Sequence, residues 1–80
     1  MVHHIKILTC YFEAVLDGRK RFEIRFNDDR GFNAGDAVVM HEIDKIGETG
    51  NIASAEITYV TNYQQKEGYV VFGFKLDGEA

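Results

Sequence analysis

A strict alternation of charged and large apolar residues runs through residues 21–26 (RFEIRF) and constrains the fold more than any other stretch. Successive side chains of a strand point to opposite faces of a sheet, so this period of two predicts a β-strand. The apolar residues expected in the core are Phe22, Ile24 and Phe26. The charged residues expected on the opposite face are Arg21, Glu23 and Arg25.

Four more segments have the composition of strands and are separated by glycine-rich or polar turns. They span residues 3–8, 37–43, 52–60 and 69–76. In the first of them Ile5 and Ile7 alternate with polar residues, which predicts one buried face. The segments 37–43 and 52–60 are joined by a turn containing Gly47 and Gly50, which predicts an antiparallel hairpin.

A short helix is expected between the first strand and the RFEIRF strand. Phe12, Val15 and Leu16 have the i, i+3, i+4 spacing of a buried helical stripe. The hydroxyl of Thr9 is expected to cap the helix, and Gly18 is expected to end it in a left-handed conformation.

The order of elements predicts the fold class of a single domain over residues 1–80. One helix between strands 1 and 2, followed by strands only, is typical of an α+β domain with a mostly antiparallel sheet. About five strands would leave two exposed edges unless the sheet rolled toward a barrel.

Composition narrows the location and the chemistry. The N-terminus lacks a secretory leader, no stretch is long and apolar enough to span a membrane, and Cys10 has no second cysteine to pair with. We therefore expect a cytoplasmic monomer without cofactors, in which Cys10 is structural and at least half-buried. His3 and His4 would point to opposite faces, so at most one could join His41, and no metal site is predicted.

Positive charge is concentrated in one part of an acidic chain whose formal net charge is −4. Residues 19–30 carry five cations and three anions, a local charge of +2, whereas the rest carries four cations and ten anions. A cationic stripe on an acidic body suits one specific anionic ligand better than bulk adhesion to nucleic acid. The alternative interpretation is a solvated strand face with weak surface ion pairs.

The stretch GRKRFEIR, residues 18–25, resembles the GxKxxExR motif of the ASCH superfamily, whose members have a PUA-like β-barrel. Most of the chain also resembles the ASCH-like domain of unknown function 3850, found in short bacterial and phage proteins. The resemblance implies a small PUA-like barrel that binds RNA or nucleotides in a cleft beside the helix preceding the motif strand. Lys20, Glu23 and Arg25 would line that cleft, with Gly18 setting the turn into it.

The complete predicted binding site adds neighbouring cations to these motif residues. It consists of Gly18, Arg19, Lys20, Arg21, Glu23, Arg25 and Arg30. Three tyrosines, Tyr11, Tyr63 and Tyr69, are candidates for stacking on a base or for half-buried positions in the barrel.

Two other functions stay open. One ASCH group is similar to amidohydrolases that act on acetylated cytidine, but Glu23 occupies the position where that group carries threonine. A hydrolase acting on a modified nucleoside or RNA with Lys20 and Glu23 as acid and base is one alternative. The other is a protein-interaction domain whose cationic stripe binds an acidic partner.

Overall fold

A computed structural model of the protein describes residues 1–27 and 31–78. Within these residues the chain forms five strands and one helix, in the predicted order. The strands are β1 (Val2–Leu8), β2 (Phe22–Phe26), β3 (Ala37–Ile43), β4 (Glu48–Thr61) and β5 (Tyr69–Leu76), and the helix α1 (Thr9–Leu16) connects β1 to β2.

The strands form one mixed sheet in the order β1-β3-β4-β5-β2. The β1–β3 pair is parallel, and the other three pairs are antiparallel, including the predicted β3–β4 hairpin. The sheet curls until its two edge strands approach each other. Their proximity is shown by the Arg25 Nη2 on β2, which donates to the Lys6 carbonyl on β1 at 2.9 Å. Side chains therefore bridge the seam between β1 and β2, and the fold is a curled half-barrel rather than a closed barrel.

The core fills the concave face of this sheet and is covered in part by α1. Ile5 and Ile7 of β1 are buried, as their alternation predicts. Phe72 is fully buried on β5 and stacks on Phe32, with ring centroids 4.9 Å apart. The remaining buried apolar residues are Phe12, Val15, Val38, Met40, Ala53, Ala55, Ile57, Val70 and Phe74.

The helix differs from the prediction in the exposure of Leu16 and Cys10 and in the role of Thr9. Phe12 and Val15 are buried, but Leu16, which follows Val15 in the last turn, is 55% exposed. Thr9 is the first helical residue rather than the cap, and its hydroxyl donates to the Ile43 carbonyl on β3 at 3.3 Å. Cys10 is exposed, so its predicted structural role in the interior is wrong.

The predicted glycine stop after α1 is confirmed. Gly18 has φ +87°, a left-handed conformation that a side chain would strain, and its amide donates to the Val15 carbonyl at 3.2 Å. The next turn places Lys20 two residues before β2, and the Lys20 amide donates to the Ala14 carbonyl at 3.0 Å.

The hairpin and its neighbourhood also differ from the sequence-based boundaries. β4 begins at Glu48 rather than at residue 52, because Glu48 already pairs with Ile43 beyond a bulge in the ladder. Buried Glu42 is held by this end of the hairpin: it accepts from Thr49 Oγ1 at 2.7 Å and Asn51 Nδ2 at 2.9 Å. These two hydrogen bonds lower the pKa of the Glu42 carboxyl.

Acidification should lower the free energy of unfolding by removing the contribution of the Asp36 carboxylate. His3 Nε2 lies 2.8 Å from the Asp36 carboxylate and the Asn33 amide donates to it at 3.1 Å, and these contacts lower the pKa of Asp36 below its usual 3.8. A carboxyl whose pKa is lower in the folded state stabilises the fold above the unfolded value and loses that effect as the pH falls through the folded value.

We therefore expect Asp36→Asn to lower the urea midpoint by a constant amount above about pH 5, and the gap to wild type to close below about pH 4. Urea unfolding followed by circular dichroism between pH 7 and pH 3 measures this. A gap that stayed constant down to pH 3 would contradict the assignment of the stability to the charged carboxylate.

Candidate functional site

Strand β2 carries its charged side chains inward, opposite to the prediction. Glu23 pairs with Phe72 across the β2–β5 ladder, and Arg25 pairs with Val70, so both lie on the face of the sheet that holds the core. Glu23 is 5% exposed, whereas the apolar residues expected in the core are about half exposed. These are Phe22 at 46%, Ile24 at 52% and Phe26 at 49%.

The physical reason for this inversion is the register of an edge strand. The fully buried side chain of Phe72 fixes which face of β5 is interior, and the ladder then places Glu23 on that same face. The outward residues find half-buried neighbours instead: Phe26 meets Tyr69 edge to face, with ring centroids 5.3 Å apart. Period-two alternation defines two faces but does not say which one is interior.

Three of the predicted site residues converge on one point. The Glu23 carboxylate pairs with the ammonium of Lys20 on one side. On the other side it accepts from Arg25 Nη2 at 2.7 Å and from Arg25 Nε at 3.1 Å, a two-donor contact to one oxygen. The Lys20 ammonium also donates to the Phe22 carbonyl, so this ion-paired cluster is anchored to the backbone of β2.

The ion-paired cluster lies at a cleft of about 460 Å³ along the seam between the two edge strands. Its described walls come from β1, β2, α1 and the end of β3. They are Lys6, Ile7, Leu8, Tyr11, Lys20, Phe22, Glu23, Ile24, Arg25 and Ile43. The Lys20 ammonium lies 5.8 Å from the ring centroid of Tyr11 and 4.7 Å from that of Phe22, so two aromatic rings flank the cation.

The other predicted site residues stand apart from this cleft. Arg19 pairs with Asp17 at 2.8 Å on the exposed helix end, and the Arg21 Nε donates to the Gly18 carbonyl at 3.4 Å. Arg21 is exposed and is not among the residues that line the cleft. Gly18 forms the turn as expected, and Arg30 lies outside the described residues.

Of the candidate tyrosines, only Tyr11 is among the described residues that line the cleft. Tyr63 is 73% exposed and Tyr69 packs against Phe26 on the outer face. Sequence reasoning missed Lys6 and Phe22 as cleft residues, because β1 and β2 are brought together only by curling of the sheet. A local sequence pattern does not carry that long-range contact.

A second cavity adjoins the first at the start of α1. Its volume is about 740 Å³, and its described lining is Leu8, Thr9, Cys10, Ile43, Asp44, Lys45 and Ile46. It shares Leu8 and Ile43 with the first cleft. The two cavities therefore meet at the carboxyl ends of β1 and β3.

Within residues 1–27 and 31–78, no three or more His, Cys, Asp or Glu side chains are grouped so as to hold a metal ion. In the same residues, no helix is long and apolar enough to cross a membrane.

The fold and this cleft define a class: small curled-sheet proteins with an ion-paired cleft at the seam of the sheet. The chain belongs to the family described as domain of unknown function 3850 (DUF3850), whose model matches residues 2–74. It is similar to a protein of Escherichia phage P2 described as an uncharacterized 12.9 kDa protein in the GpA 3' region. The two are 38% identical over 71 residues, which cover 88% of this chain but 64% of the phage protein.

Proposed function

We propose that the cleft between β1 and β2 binds a nucleotide unit of RNA, or a free nucleotide. The observation that carries this proposal is the convergence of Lys20, Glu23 and Arg25 at one cleft beside α1. A buried carboxylate between two cations serves to orient their donors, which suits a specific ligand better than bulk adhesion to a polyanion.

Charge and aromatic surface in the cleft suit the two parts of a nucleotide. The described lining holds three cations, Lys6, Lys20 and Arg25, against one anion, Glu23, a local charge of +2 in a protein of net charge −4. The cations attract a phosphate, and the rings of Tyr11 and Phe22 offer faces on which a base can stack.

The adjoining cavity favours RNA over an isolated nucleotide. A ligand that follows the shared wall of Leu8 and Ile43 reaches a second space beside Cys10, so a neighbouring nucleotide has room.

The wider proposal includes membership of the ASCH superfamily, a PUA-like origin for the half-barrel, and a monomer that acts in the cytoplasm.

Titration with short single-stranded RNA and with AMP tests the proposal. We expect chemical-shift changes in the amide signals of residues 18–25 and of β1, and binding that weakens with salt at a slope of about 0.7 per neutralised phosphate. Arg25→Ala should weaken RNA binding about tenfold. It should also reduce the salt-dependence slope by about 0.7, the value for one phosphate contact. Arg19→Ala is the matched control, since Arg19 pairs with Asp17 away from the cleft, and it should bind like wild type.

Unchanged signals around residues 18–25 with both ligands would remove the proposal. In affinity capture from a cell lysate, a protein partner would instead stay bound after nuclease has destroyed the RNA. That result would favour the protein-interaction alternative.

A hydrolase acting on a modified nucleoside or RNA is the second candidate, and it is favoured by one contact. The Lys20 ammonium and the Glu23 carboxylate are paired at the cleft, so both groups are available to exchange protons with a substrate bound there. Product formation from acetylated cytidine or RNA should be lost in both Lys20→Ala and Glu23→Ala. Turnover that survives both substitutions belongs to a contaminant and removes this candidate.

A further inference from the structure

Two histidines meet on the outer face of the half-barrel, away from the cleft. His4 on β1 and His41 on β3 have their Nδ1 and Nε2 atoms 2.9 Å apart, with ring centroids separated by 5.2 Å. β1 and β3 are paired in parallel along their full length, so the strand ladder fixes the distance between the backbones of these two residues. His3 points to the opposite face, where it is buried and contacts Asp36.

We propose that His4 and His41 bind a divalent transition-metal ion, with zinc favoured by the geometry. Two imidazoles that bind a tetrahedral ion at about 2.05 Å have ring centres about 5.2 Å apart. The ring centres of His4 and His41 already have that separation. Binding therefore needs the exposed His4 ring and the half-buried His41 ring to turn in place until both nitrogens face the ion, without movement of the strands.

Glu48 supports His41 from the other side of its ring. The Glu48 Oε1 atom lies 3.6 Å from His41 Nδ1, the nitrogen that does not face His4. A carboxylate at the second ring nitrogen fixes the tautomer and makes the metal-facing nitrogen a better donor. Glu48 is held near His41 because β4 starts early, beyond the bulge between His41 and Ile43.

The donor set determines the kind of ion. Neutral imidazole binds zinc, nickel and copper, whereas magnesium and calcium prefer oxygen ligands. Two protein ligands leave the remaining coordination positions to water or to an incoming ligand, so binding is expected to be weaker than at a four-ligand structural site. The sequence predicted no metal site because at most one of His3 and His4 could join His41 and no cysteine completes a ligand set. The described residues contain no group of three or more such ligands, so the proposed site has two protein ligands only.

The histidine side-chain signals in NMR spectra test this site with an internal reference. The experiment adds zinc chloride at pH 7.5 to a Cys10→Ser protein, so that the exposed thiol does not compete for zinc. The imidazole signals of His4 and His41 should shift together with one affinity, and those of His3 should not move. Magnesium chloride should shift none of the three. The site is disproved if zinc leaves His4 and His41 unmoved or shifts only one of them.

Calorimetric titration of the same Cys10→Ser protein with zinc separates the roles of the residues. We expect His4→Gln and His41→Gln each to weaken zinc binding at least tenfold, and Glu48→Gln to weaken it about tenfold. Glu56→Gln, which removes another exposed carboxylate of β4, is the matched control and should leave the affinity unchanged. Since these side chains are not in the core, the circular dichroism of each variant should match that of the parent. Equal affinity of the parent and both histidine variants would overturn the assignment.

Discussion

Glu23→Ala should destabilise the protein by about 2 kcal/mol, a large fraction of the roughly 5 kcal/mol expected for a domain of this size. The substitution leaves Lys20 and Arg25 facing each other without the carboxylate that separates them. Breaking a fully buried pair costs about 3–5 kcal/mol. The expected loss is smaller here because the Lys20 and Arg25 side chains keep 17% and 27% of their surface in water. Urea unfolding followed by circular dichroism measures the difference.

A double-mutant cycle separates this charge effect from packing. Glu23→Ala and Lys20→Met, alone and together, should be non-additive by about 1 kcal/mol or more, because the two side chains are in contact. Arg19→Ala serves as the control for an exposed ion pair and should leave the urea midpoint unchanged. Additive effects of the two cleft substitutions, or a Glu23→Ala protein as stable as wild type, would contradict the ion-paired cluster.

Phe72→Ala should be the most damaging single substitution we describe. Phe72 is fully buried and stacks on Phe32, so truncation removes a large apolar side chain and leaves a cavity. Such truncations cost about 3–5 kcal/mol. Since that approaches the whole expected stability, we expect a substantially unfolded protein at 25 °C, visible as loss of near-ultraviolet circular dichroism and amide dispersion.

Phe26→Ala is the matched control for this substitution and also tests the orientation of β2. Phe26 is 49% exposed on the outer face, so the same truncation should cost about 1 kcal/mol. If the apolar side of β2 faced the core, as the alternation alone suggests, Phe26→Ala would be as damaging as Phe72→Ala. Similar losses for both variants would therefore contradict the inward position of Glu23.

The elements themselves were largely predictable from local patterns. The bounds of β3 and β5 coincide with the predicted segments, β2 begins one residue later than predicted, and Gly18 ends α1 as expected. These features depend on side-chain period and on backbone preferences within a few residues. The errors at Thr9 and Leu16 lie at the two helix ends: the Thr9 hydroxyl donates to the Ile43 carbonyl on β3, and Leu16 is exposed.

The candidate site was predictable only in part. The structure brings the motif residues Lys20, Glu23 and Arg25 together at one cleft, but it places Glu23 and Arg25 on the core side of the strand, whereas the prediction placed them on the opposite side. Arg21 is not in this group: its side chain is exposed, and its Nε donates to the Gly18 carbonyl. Lys6 and Phe22 joined the cleft because the two ends of the sheet meet, which no single strand specifies.

Local sequence was sufficient for most of the strand and helix segments, the glycine turn and the placement of Glu23 and Arg25 on one side of a strand. Tertiary structure alone decided that this side faces inward, that β1 and β2 flank a cleft, and that His4 meets His41. The reason is physical: alternation and propensity act between near neighbours along the chain. The direction of a face is set by long-range register, here the pairing of Glu23 with the buried Phe72.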